Sequence, residues 1–104
     1  MTFDELLGEL KTCGVPVAAP AWAETPKGDY ATLSYRAFDP LFADDAMAAI
    51  TQEATVRLYS PGSGEESAKL IQQKLGSLDL TWWLETVDYD EDQRKSIWIW
   101  AMLL

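Results

Sequence analysis

Residues Ile97 to Leu104 form an unbroken run of eight apolar residues, and they follow a charged turn, Asp90-Glu91-Asp92-Gln93. The run is too short to cross a bilayer as a helix, which takes about 20 residues. Read as a strand from Lys95 to Leu103, it places Ile97, Ile99, Ala101 and Leu103 on one face and Trp98, Trp100 and Met102 on the other. A strand covered by helices on one side only normally alternates apolar and polar residues. This one needs cover on both faces, supplied by its own chain or by another. The expectation is that Trp98, Trp100 and Met102, with Trp82 or Trp83 on the neighbouring strand, meet another subunit, with Trp83 favoured as the interface residue.

The rest of the chain has to build a sheet around that strand. Thr2-Phe3-Asp4-Glu5 has the form of a capping box, and Phe3, Leu6, Leu7 and Leu10 recur at the spacing of one helical face. Gly14 and Pro16 stop this helix, which the pattern places from about Phe3 to Cys13. Pro16, Pro20, Pro26 and Gly28 mark an extended connection, pinned to the body by Trp22. Tyr30 to Ala37 alternates as a half-buried strand. Asp39-Pro40 is a turn and Phe42-Ala43-Asp44-Asp45 leads into a second strand, from about Ala48 to Tyr59, that pairs with the first. Its core face is Ile50, Ala54, Val56 and Leu58; its solvent face is Thr51, Glu53, Thr55 and Arg57. Ser63 to Glu66 repeats the capping pattern before a helix with Ala68, Ile71, Leu75 and Leu78 inward, closed by Gly76. Trp82 to Tyr89 is a third strand. The expected architecture is a single α+β domain over residues 1–104, ordered α-β-β-α-β-β. It has an antiparallel four-stranded sheet with two helices on one face.

Composition narrows the chemistry. The chain has 104 residues, which suits one core. Its net charge of −9 disfavours nucleic acid and anionic membranes as partners. The N-terminal Met1-Thr2-Phe3-Asp4-Glu5 does not read as a secretory signal. The single cysteine, Cys13, reads as a buried thiol in a reducing compartment. There is no histidine, so the commonest general base and metal ligand is missing. Ser60-Pro61-Gly62-Ser63-Gly64-Glu65 has the glycines of a phosphate cradle without its lysine, and Glu65-Glu66 would repel phosphate. Asp88, Asp90 and Asp92 imitate the start of a calcium loop. Gln93 and Ile99 stand where that loop needs glycine and glutamate. The expectation is a non-enzymatic protein without catalytic residues, metal or cofactor.

Several segments together resemble the tail-terminator and head-to-tail joining proteins of long-tailed bacteriophages. They are Gly14-Val15-Pro16-Val17 followed by Trp22, Tyr30 to Tyr35, Phe42-Ala43-Asp44-Asp45, Val56-Arg57-Leu58-Tyr59-Ser60 before Glu65-Glu66, and Trp82 to Leu104. Asp45 stands where the family's motif ends in Asn, and Ala18-Ala19 where Tyr-Gly is usual. The resemblance implies a structural ring, usually of six copies, that caps the tail tube and joins it to the head connector. Its place is the virion's head–tail junction, after assembly in the host cytoplasm. On this reading Phe42 joins the tryptophans at the interface, and Asp39, Asp44 and Asp45 contact a neighbour or the tube. The acidic turn Asp90-Glu91-Asp92 faces a partner or a pore through which DNA slides without sticking. The competing reading is a small acidic intracellular adaptor that binds a basic protein.

Overall fold

Thr2 starts the first helix as its chemistry requires. In the computed structural model, which describes residues 1–36 and 52–104, the Thr2 hydroxyl accepts from the Glu5 N–H at 3.1 Å. The Glu5 carboxylate accepts from the Thr2 N–H at 3.1 Å. Helix α1 spans Phe3–Leu10 and ends earlier than its apolar pattern suggests. Thr12 and Cys13 tighten into bonds to the carbonyls of Glu9 and Leu10, three residues back. Gly14, at φ +103, then reverses the chain.

The extended connection holds a strand that periodicity could not reveal. Strand β1 is only Val17–Ala18, parallel to β2 (Tyr30–Tyr35). Trp22 pins the intervening loop by donating its indole N–H to the Ala31 carbonyl at 2.9 Å. Strand β3 spans Glu53–Ser60, helix α2 Glu65–Ser77, strand β4 Thr81–Asp90 and strand β5 Lys95–Leu103. The single α+β domain therefore has a mixed sheet of five strands, not an antiparallel sheet of four; its order is β1-β2-β3-β5-β4. Strand β5 inserts between β3 and β4, antiparallel to both.

That insertion gives β5 a strand along each edge and leaves the cover of its two faces to other elements. Its helix-side residues Trp98, Trp100 and Met102 stand level with Leu58, Val56 and Ala54 of β3. Leu6 and Leu10 of α1 and Ala68, Ile71 and Leu75 of α2 close over this face, together with Leu33. All of these helix and strand residues except Trp98 are at most 2% exposed. The Trp100 indole is level with α2, where its N–H donates to the Gln72 side chain at 3.3 Å.

The start of α2 departs from its sequence signature. Gly64 caps it in the left-handed conformation, at φ +75, and no side chain caps it reciprocally. A Cβ at Gly64 would stand 3.0 Å from the Trp98 indole nitrogen and 3.1 Å from Ser60 Cβ, so a side chain here would have to displace these neighbours and would also be strained at this φ. Gly76, expected to end the helix, lies inside it, and Leu78 caps it instead.

Candidate assembly surface

The tryptophan stripe of β5 is the first expectation to be corrected. Trp100 and Met102 are 0% exposed and belong to the core, because α1 and α2 cover the face they share. They are not free to meet another subunit. Trp98 is half-buried at the margin of the same face. Its indole N–H donates to the Ser63 carbonyl at 2.9 Å and its ring lies 6.0 Å from that of Trp100. The expected covered face and outward face of β5 are thus exchanged.

The opposite face carries the apolar surplus. On β5 it presents Ile97 and Ile99, both half-buried, between Tyr59 and Arg57 of β3 and Asp88 and Thr86 of β4. Trp83, level with the fully buried Ala101, is 37% exposed and is the expected interface residue that does lie at the surface. No helix of the described residues contributes to this face's core. Its upper end is closed by aromatic contacts: Tyr30 stacks on Tyr59 at 5.1 Å. The Lys95 ammonium donates to the Tyr30 hydroxyl at 2.9 Å while lying 4.8 Å from the ring centre. Thr55, expected at the solvent face of β3, is only 2% exposed here.

Strand β4 adds a second exposed apolar row that the sequence reading missed. Leu84, Val87 and Tyr89 are 40%, 47% and 58% exposed. They lie on the helix side, level with Trp100, Trp98 and Ser96, but beyond the reach of the helices. The signal was present in the sequence. Apolar positions run 82, 84, then 87, 89, and a three-residue step inside a two-residue repeat marks a bulge. The register does shift between Leu84 and Thr86. Glu85, at the bulge, accepts from Arg36 at 2.7 Å, and Arg36 also lies 3.5 Å from Glu53. The Glu85 bond is the main reason the Arg36 guanidinium holds its proton more firmly than usual.

The acidic turn divides into two roles. One carboxylate oxygen of Asp90 accepts from the backbone N–H groups of Asp92 and Gln93 at 3.0 and 3.2 Å, so Asp90 shapes the hairpin. Arg94 takes φ +54 to complete it. Glu91 and Asp92 are exposed and point their charge to solvent. Phe42, Asp39, Asp44 and Asp45 lie outside the described residues.

The hollow at the start of α2 is acidic. Asp29 floors the hollow at the start of α2, where it accepts from Ser60 at 2.6 Å and from Ser67 at 2.5 Å. Its carboxylate, with Glu65 and Glu66 on the rim, opposes an anion there. Cys13 is buried, its thiol 3.9 Å from the Val15 carbonyl. Among the described residues no three His, Cys, Asp or Glu side chains gather as a metal site, and no helix is long and apolar enough to cross a membrane. The exposed apolar side chains of the described strands lie mainly on the edge strand β4, on both of its faces. No protein-family model matches the chain, and no curated protein matches it significantly.

Proposed function

We propose that this protein is a ring-forming structural component of a phage tail, a terminator that caps the tail tube and joins it to the head connector. The observation that carries the reading is the exposed apolar surface of β4 and β5, where Trp83 shares with half-buried Ile99 a face to which no helix of the described residues adds core. A small soluble domain rarely leaves such a surface uncovered. A ring covers it by setting the patch of one copy against an unlike patch of the next, closing when the rotation per copy allows. The net charge of −9 supports the same reading, because an acidic lumen lets DNA pass without adhering.

The test is purified protein mixed with polymerised tail-tube protein and viewed by negative-stain microscopy. Rings or end-capped tubes are expected, and Trp83→Lys should remove them while leaving the far-ultraviolet circular dichroism unchanged. Tubes that keep growing past uncapped ends would sink the reading.

A further inference from the structure

The two edges of the sheet are not alike. Strand β1 is a two-residue edge flanked by Pro16 and Pro20, and proline cannot donate to an added strand. Strand β4 is a ten-residue edge with neither proline nor lysine, bulged once between Leu84 and Thr86, and among the described residues nothing pairs with its outer side. A long edge of this kind is a template for strand addition. Its side chains also specify what would be added. On the helix side it offers Leu84, Val87 and Tyr89 in a row, all well exposed. On the other side it offers Thr86, Asp88 and Asp90, level with Ile99, Ile97 and Lys95.

We infer that the β4 edge binds an extended segment of a partner protein in which apolar residues alternate with lysine or arginine. Alternation follows from the pleat: residues of an added strand face the two sides in turn. The apolar set lies beside Leu84, Val87 and Tyr89. The basic set faces Asp88 and Asp90, with the exposed Glu91 and Asp92 just beyond. Charge complementarity also selects against a second copy. Pairing β4 in parallel with another β4 sets Asp88 and Asp90 against their own copies, and like charges across a strand pair are destabilising; an antiparallel copy sets them against Trp83 and Thr81 and offers them no cation. The inference goes beyond the ring reading and stands without it, since it concerns the edge of β4 and not the helix-free face around Trp83.

The experiment uses the full chain and a fluorescent ten-residue peptide alternating valine and lysine, matched in length to β4. Three controls accompany it: a peptide alternating valine and glutamate, a valine–lysine peptide with its lysines grouped at one end, and an alternating peptide methylated on every second backbone nitrogen. The alternating basic peptide should bind at least about tenfold tighter than each control. Asp88→Lys, at an exposed position, should shift the preference toward the glutamate peptide. Equal affinity for the grouped peptide would reduce the effect to net charge and overturn the inference. So would the absence of binding up to about 1 mM. A concentration-dependent dimer abolished by Val87→Lys would assign the edge to a second copy, overturning this inference while leaving the ring reading intact.

Discussion

The two faces of strand β5 are both apolar and are covered to different degrees. One face carries Trp100 and Met102, fully buried beneath α1 and α2. The other carries Ile97 and Ile99, half-buried, and among the described residues no helix lies over them. The difference lies in what the neighbouring elements deliver and not in β5 itself. Both helices bring their apolar stripes to one side, and the surplus on the other side is left to long side chains of adjacent strands. An apolar stripe in a sequence therefore reports a need for cover without saying which face has it.

Mutations at matched positions sharpen this contrast. The largest effect is expected at the covered face. Trp100→Ala should cost about 3–5 kcal/mol, because it removes a fully buried ring and leaves a cavity. Urea denaturation reads this directly; a loss below about 1 kcal/mol would mean that the helices do not clamp that face. Next is Ser60, which is 2% exposed and links β3 to Asp29 and to the Gly62 N–H. Ser60→Ala should cost about 1–3 kcal/mol in the same assay, since it strands polar partners at the end of the covered face.

The open face should respond differently. Trp83→Ser should change monomer stability by less than about 1 kcal/mol while weakening self-association. A large loss of stability would place Trp83 in the core with Trp100. The Arg36–Glu85 bridge crosses this open side with both side chains partly exposed. Arg36→Met should therefore cost no more than about 1 kcal/mol by urea denaturation, and less still in high salt.

The smallest effect is at the start of α1, away from either face. Glu5 has a lowered pKa because its carboxylate accepts from the Thr2 backbone N–H, with help from the Thr2 side chain. A lowered folded-state pKa adds stability above the ordinary value of 4.5, lost as the pH falls through the folded one. The melting temperature of the wild type should exceed that of Glu5→Gln near neutral pH. The gap should close on acidification below that ordinary value. A gap that stayed constant with pH would remove the carboxylate from the account.

Much of this was legible in the sequence. The capping box at Thr2, the limits of β5, the antiparallel pairing of β2 with β3 and the acidic turn all follow from local residue types. Three features were not. Strand β1 is two residues long and is defined by a partner, not by a pattern. The left-handed glycine that caps α2 lies close to Trp98, a contact between residues far apart in the chain. The sequence alone points to the wrong outward face of β5, because strand order determines which side the helices reach. The row at Leu84, Val87 and Tyr89 was visible as a break in alternation. Its exposure depends on β4 being the edge strand.

Sedimentation equilibrium over a wide concentration range tests most directly whether the helix-free side of β4 and β5 is made to be covered by another chain. The apparent mass should rise above that of one chain as concentration increases, and Trp83→Lys should return it to that of one chain without unfolding the protein. A single-chain mass at every concentration, identical for the two proteins, would contradict the account.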